Sequence, residues 1–182
     1  LKQNKTAIVL VPEISLTPQM IDRFIARFNK DEIAVLHSKL SIGERYDEWN
    51  KIKENKAKII IGARSAIFAP TENIGIIIID EEHTSTYKQE NNPRYNSLDI
   101  AHFRSKYHNA KLILGSATPS IESYTRANMN VYELLTMKKR VNNNGIFLDF
   151  INDNYHFSFL YIFFKVCNFF FIKELVKANS KC

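Results

Sequence analysis

The stretch IGIIIIDEEH, Ile74–His83, decides the fold. Four consecutive isoleucines, Ile76–Ile79, follow Ile74 and Gly75 and stop at Asp80, Glu81, Glu82 and His83. A short, wholly apolar, β-branched run reads as a strand buried on both faces, and such strands belong to parallel sheets covered by helices. Open parallel sheets collect ligands at the C-terminal ends of their strands. Chemistry is therefore expected in the polar residues just after the run.

The same pattern repeats on either side. AIVLV (7–11), IAVLH (33–37), KIIIG (58–62) and KLILG (111–115) read as further buried strands. Thr17 and Pro18 read as an N-cap with proline at the first helical position. Met20, Ile21, Phe24, Ile25 and Phe28 follow at helical spacing. Ser41 with Glu44 makes a capping box. Tyr46, Trp49 and Ile52 read as the core-facing stripe of the next helix. Helices are also predicted over Ser97–Lys106 and from Thr118-Pro119 onward. Residues 1–141 are thus of the α/β class, a parallel sheet with helices on both faces.

A net charge of +6 in 182 residues permits a polyanionic partner without requiring one. Cys167 and Cys182 form no CxxC pair and stand in no His/Cys cluster, so neither zinc nor a disulfide framework is indicated. The chain begins at Leu1 and shows no signal-peptide pattern. Its beginning is read as missing, and the expected setting is the cytoplasm.

After Asn142-Asn143-Asn144 the composition shifts. Nine of the 13 phenylalanines crowd into Phe147–Phe171, and the strand–helix rhythm stops. Residues 142–182 are expected to be an unrelated tail. Out-of-frame translation is the favoured reading, with a membrane-associated segment or a second helical unit as alternatives. The apolar stretch 157–172 falls short of the roughly 20 residues a spanning helix needs. It also carries Lys165, worth about 2.5–3.5 kcal/mol against insertion, so a membrane partner is not expected.

The acidic strand tip suits phosphoryl transfer. An Asp there can hold Mg²⁺ near the phosphates, and a neighbouring Glu can act as general base toward water. Asp80 and Glu81 take those roles, while Glu82 and His83 lie one step on, where a side chain can sense the nucleotide. The bland alternative is a solvated acidic turn. GSATPS (115–120), again directly after a strand, offers Ser116 and Thr118 as bridges to the acidic tip. Between the two, TSTYKQENNPRY interleaves Tyr87 and Tyr95 with Lys88 and Arg94. Rings that stack on bases beside cations that meet phosphates are the chemistry of single-strand binding, and the alternative is a flexible polar loop. Arg64 and Ser65, after the 58–62 strand, can reach phosphates.

D-E-x-H followed by S-A-T is the pattern of superfamily 2 helicases. The wording around it resembles one family, the replication-restart DNA helicases called primosomal protein N′. LVPEISLTPQM (10–20), LHSKLSIGER (36–45), IIGARSAIFAP (60–70), IGIIIIDEEHTSTYKQ (74–89), PRYNSLDIA (93–101) and LILGSATPSIES (112–123) carry the resemblance, which runs without a gap from about residue 5 to 140. It implies a RecA-like motor domain using ATP and Mg²⁺ for 3′-to-5′ DNA unwinding at stalled forks. Its implied partners are single-stranded and forked DNA, primosome proteins and single-strand-binding proteins. Asp80 and Glu81 carry metal and water chemistry, with His83, Ser116 and Thr118 coupling nucleotide state to DNA movement. Pro12, Glu13, Thr17, Gln19, Arg64 and Ser65 lie on the DNA side, with Tyr87, Lys88, Arg94 and Tyr95 in the family's aromatic-rich loop.

The sequence departs from the family pattern in two ways. No G-x-x-x-x-G-K-[ST] motif stands in these 182 residues, and that motif supplies the phosphate cradle. In the family it lies just upstream of the position where this chain begins, so the sheet is expected to lack its P-loop strand–helix unit. The second motor domain and the cysteine-rich zinc segment expected downstream are replaced by the aromatic tail. Zinc is expected in the intact family member and not here. The expected state is a piece of the first motor domain that does not turn over ATP alone. The alternative is an inactive remnant that binds single-stranded DNA or primosome partners.

Overall fold

In the computed structural model, residues 5–136 are described, together with the backbone of 159–163. The expected boundary at 141/142 and the rest of the tail, Cys167 and Cys182 included, lie outside the described residues. Strands β1 (Thr6–Leu10), β2 (Ile33–Leu36), β3 (Ile59–Gly62), β4 (Ile74–Ile79), β7 (Lys111–Gly115), β8 (Glu133–Thr136) and β9 (Phe159–Phe163) form one sheet in the order β2-β3-β1-β4-β7-β9-β8. Each described pairing in it is parallel. A separate antiparallel pair joins β5 (Lys88–Gln89) to β6 (Tyr95–Asn96). The helices are α1 (Pro18–Ile25), α2 (Ile42–Lys53), α3 (Ser97–Tyr107) and α4 (Ile121–Asn128).

The isoleucine-rich strands are buried on both faces, as their unbroken apolar runs require. On one face Ile8, Leu10, Ile60, Ile77, Ile79, Leu112 and Leu114 pack with Ile52 of α2, Ala101 of α3 and Ala127 of α4. On the other, Val9, Ile61, Ile78 and Ile113 meet Phe24, Met20 and Ile25 of α1. Each fully buried isoleucine contributes about 1.5–3 kcal/mol, so the sheet is held from both faces.

The helix starts follow from their caps. Thr17 Oγ1 accepts from Met20 N (3.3 Å) with Pro18 at the first position, and both halves of the Ser41–Glu44 capping box are made. Asn96 Oδ1 accepts from Leu98 N at the start of α3 (3.0 Å). Two expectations need correction. The last helix begins at Ile121 with Ser120 as N-cap, not at Thr118, because Ser120 is held by a distant carboxylate described below. Tyr46 and Trp49 are exposed (66% and 39%), and among the stripe residues Ile52 alone is core. Steps of three residues drift by about 60° around a helix of 3.6 residues per turn. Tyr46 and Ile52 therefore stand about 120° apart and cannot both face the sheet.

Long polar side chains finish the packing. Glu48 and Lys51 of α2 close the outer edge of β2, with Val35 N donating to Glu48 Oε2 (2.9 Å) and Lys51 Nζ donating to Ile33 O (2.6 Å). Covering an edge this way blocks strand addition. Arg104 of α3 donates to the carbonyls of Ile67 (2.5 Å), Ala69 (3.0 Å) and Thr71 (2.9 Å), pinning the segment that leads into β4.

Behind α3 and α4, Arg126 Nη1 donates to Tyr132 Oη (2.8 Å), leaving the phenolic O–H to donate to His102 Nε2 (3.0 Å). Burial, and then the Arg126 charge, hold the His102 imidazole below its ordinary value. The unfolded chain therefore binds more protons below about pH 6.5, and stability falls as pH drops from there through the depressed native value. His102→Phe is expected to flatten the melting-temperature profile in that window relative to wild type. An unchanged profile would show that His102 is not the titrating group.

Candidate nucleotide site at the strand tips

The polar residues that follow β2, β3, β1, β4 and β7 line up along the C-terminal edge of one sheet. In spatial order they are His37-Ser38, Arg64-Ser65, Pro12-Glu13, Asp80-Glu81 and Ser116–Thr118. The expected DNA-side residues occupy one half of this edge and the expected nucleotide residues the other.

The acidic tip continues the sheet ladder past β4. Asp80 N donates to Leu10 O of β1 (2.9 Å) and Glu82 N to Gly115 O of β7 (3.0 Å). Between them Glu81 takes a left-handed backbone, φ 49°. That conformation costs a non-glycine residue about 1–2 kcal/mol and recurs where function demands a fixed geometry. It puts neighbouring side chains on different paths. Glu81 and His83 are partly exposed (side chains 20% and 31%) with His83 Nδ1 3.6 Å from Glu81 Oε2, while Glu82 is buried (3%). Asp80 is half-buried, and its Oδ1 accepts from Glu81 N (3.0 Å).

His83 reaches the next strand tip. Its Nδ1 lies 2.6 Å from Ser116 Oγ and its Nε2 3.4 Å from Thr118 Oγ1. Ser116 is fully buried and also accepts from Thr118 N (3.1 Å). Its hydroxyl pairs with Nδ1 as donor or as acceptor according to the imidazole tautomer. The residues expected from the sequence to couple the two tips are thus in contact.

Glu82, placed by the sequence beside His83 where a side chain can sense the nucleotide, does not share its exposure. Its carboxylate turns inward and accepts from Ser120 N (Oε1, 2.8 Å), Ser120 Oγ (Oε2, 3.1 Å) and Ser123 Oγ (Oε2, 3.0 Å). A carboxylate at a helix N-terminus is satisfied by the unpaired first-turn N–H groups. Ser120 and Ser123 went unnoticed in the sequence, although S-x-x-S after a proline is a local hint of a cap.

Two residues expected on the DNA side are buried instead. Tyr87 is not a surface ring. It is 1% exposed, among the largest fully buried side chains, and its hydroxyl donates to Asp80 O (2.5 Å) with Leu10 O at 3.3 Å. Burial, then the charges of Asp80, Glu81 and Glu82, push the phenol far above its ordinary value, so it stays a donor. The 3₁₀ turn Ser85–Tyr87 folds the ring back under the strand tip. Pro12 is likewise buried, preceding the 3₁₀ turn Glu13–Ser15. Glu13 is exposed and accepts from Ser38 Oγ. Thr17 and Gln19 are exposed on the first turn of α1.

Where the sequence leaves a flexible loop over 84–95 as the alternative, the chain forms a small hairpin, Lys88 opposite Asn96 and Gln89 opposite Tyr95. A cavity of about 450 Å³ is lined by Lys88, Gln89, Glu90, Arg94, Tyr95 and Asn96. Tyr95 packs edge-on against Phe68 (5.0 Å between centroids). Arg64 Nη1 donates to Lys88 O (3.1 Å) and Arg64 O accepts from Ser97 Oγ (3.1 Å), tying the turn after β3 to the hairpin and α3.

The donor set at the tip fits Mg²⁺. That ion is held by one or two carboxylates plus phosphates and retained waters rather than by an all-protein cage. Asp80 would supply a carboxylate, with Glu81 nearby, and no group of three or more His, Cys, Asp or Glu suited to a metal occurs among the described residues. No helix among those residues is long and apolar enough to cross a membrane.

Over 142 residues the chain is 59% identical to the replication restart protein PriA of Bacillus subtilis, covering 78% of this chain and 18% of that protein. It is 49% identical over 141 residues to the PriA of Chlamydia pneumoniae (77% of this chain, 19% of that protein). With the PriA of Haemophilus influenzae the identity is 43% over 153 residues (84% and 21%). The chain therefore spans about a fifth of the length of these relatives, and the replication-restart resemblance read in the sequence is borne out. The DEAD/DEAH box helicase family matches residues 1–127, and the chain belongs to that family.

Proposed function

We propose that residues 5–136 are the part of an ATP-dependent DNA helicase that completes a nucleotide site and presents a DNA-contacting edge, acting in replication restart in the cytoplasm. The observation that carries this is the contact of His83 with Ser116 (2.6 Å) across two strand tips, beside Asp80 and Glu81. Asp80, with Glu81 nearby, would hold Mg²⁺. When bound, the ion neutralises charge on the β- and γ-phosphates. Glu81 orients the attacking water and takes its proton, a contribution worth about 10²–10⁴ in rate. His83, Ser116 and Thr118 relay the state of that tip to the neighbouring strand. Thr17, Gln19, Arg64, Ser65, Lys88, Arg94 and Tyr95 contact a single strand moving 3′ to 5′, with forked DNA, primosome proteins and single-strand-binding proteins as partners.

A second reading is favoured by one observation, the lack of a G-x-x-x-x-G-K-[ST] motif in these 182 residues. Without that cradle the positioning and electrostatic stabilisation of the phosphates are lost together. The chain would then bind single-stranded DNA or primosome partners without turnover.

One pair of measurements tests both readings. The 182-residue chain is expected to bind single-stranded DNA with an affinity that falls steeply with salt and to show no DNA-stimulated ATP hydrolysis. Hydrolysis that disappears in Glu81→Gln would overturn the expected lack of turnover. Loss of DNA binding at low salt in a folded chain would sink the DNA-contacting edge. In a form of the protein that carries the phosphate-binding motif, Glu81→Gln is expected to lower kcat by about 10²–10⁴.

A further inference from the structure

We propose that Glu82 is a positioning residue that locks the loop Gly115–Ser120 to the acidic turn and thereby sets His83 against Ser116. The loop is gripped at both ends by this one residue. Its backbone N–H donates to Gly115 O (3.0 Å) where the loop begins. Its carboxylate receives Ser120 N and the Ser120 and Ser123 hydroxyls where the loop ends, at 2.8–3.1 Å. Ser120 Oγ in turn accepts from Ser123 N (3.2 Å), so the clamp extends into the first turn of α4. Ser116 and Thr118 lie between the two grips and carry the hydroxyls that His83 reaches. With both ends fixed, the loop and the acidic turn move as one body.

Without the carboxylate, the far end of the loop is held by the helix cap alone. Ser116 then shifts relative to His83 even if the strands do not move. A purely structural role predicts something else, a uniform loss of stability with the His83–Ser116 contact intact whenever the chain is folded. The proposal rests on reading Asp80–His83 and Ser116–Thr118 as one site. Its test needs no nucleotide or DNA, so its failure is distinct from a failure of the motor reading.

The test is NMR on the full 182-residue chain at one fixed pH, reading the His83 ring ¹⁵N shifts and amide exchange. In wild type the shifts are expected to report a single tautomer, held by the Ser116 and Thr118 hydroxyls. In Glu82→Ala they are expected to average toward a mixture of tautomers. The Thr118, Ser120 and Ser123 amides should exchange about tenfold faster or more, while the Asp80 amide and those of β1 keep their protection. Glu82→Gln keeps an acceptor for Ser120 N and is expected to restore the His83 signature. Unchanged His83 shifts in folded Glu82→Ala would overturn the proposal. If Glu82→Ala does not fold, Ser123→Ala takes its place, and a shifted His83 signal with intact strand protection supports the clamp. Unchanged His83 signals there, or equal loss of protection throughout the chain in each variant, overturn it.

Discussion

Gly62→Ala is expected to cost about 3 kcal/mol, at the upper end of overpacking substitutions, and Gly62→Val more. Gly62 ends β3, and a Cβ placed on it would lie 2.3 Å from Leu36 O and 2.6 Å from Ala66 Cβ. Neither obstacle is the end of a flexible side chain. Leu36 O accepts from Ala63 N (3.2 Å), and Gly62 O accepts from Val11 N (3.0 Å), so the tips of β2, β3 and β1 are laced together at this point. Moving Leu36 out of the way breaks that lacing. Moving Ala66 displaces the 3₁₀ turn that carries Arg64. The control is Gly43, in the first turn of α2, where a Cβ meets nothing within 4 Å. Gly43→Ala is expected to be neutral or to stabilise by up to about 1 kcal/mol. Urea midpoints with unchanged m-values separate the two. A Gly62→Ala midpoint equal to wild type would mean that the strand tips are not held this tightly.

The sheet was legible because its signals are local. Runs such as IIII and LIL need no partner to declare themselves as buried strands, and Thr17, Ser41 and Glu44 lie within four residues of the amides they cap. What escaped depends on long-range contact. The start of α4 is set by Glu82, 38 residues away from Ser120, and no local rule links the two. The β5–β6 hairpin has strands of two residues, too short to show alternation. The stripe Tyr46–Trp49–Ile52 looked apolar and helical, but a step of three by itself does not hold one face.

The site divides in the same way. Asp80, Glu81, His83, Ser116 and Thr118 could be singled out because they directly follow apolar strands, where open parallel sheets collect ligands, and because D-E-E-H is more specific than a lone strand-ending acid. Their mutual contact follows from β4 and β7 being neighbours, which a parallel order makes natural. Side-chain direction was not readable. Within Asp80–His83 the left-handed Glu81 sends Glu82 inward and its neighbours outward, and nothing in D-E-E-H distinguishes the three acids by direction. Tyr87 and Tyr95 looked equivalent in the sequence, yet one lies beneath the strand tip and the other on the surface hairpin.

That difference gives the second large effect. Tyr87→Ala is expected to destabilise by about 3–5 kcal/mol, as for other large aromatic truncations in a core. Tyr87→Phe is expected to cost about 1–3 kcal/mol, because its proton serves Asp80 O and no water replaces it in a buried position. Neither loss is a loss of DNA contact. Under conditions where the variants remain folded, Tyr87→Phe is expected to bind single-stranded DNA as wild type does. Removing the Arg94 cation is expected to weaken binding and to lower the salt slope by about 1. Tyr95→Ala should weaken binding by about 1–3 kcal/mol if its ring stacks on a base. Fluorescence anisotropy across a salt series, paired with urea melts, reads both quantities for each variant. A Tyr87→Phe chain of wild-type stability that binds DNA tenfold more weakly would return the ring to the surface. The expected pattern makes the Tyr87 hydroxyl a prop beneath Asp80, which ties the geometry of the acidic tip to the chain segment that leads into the hairpin.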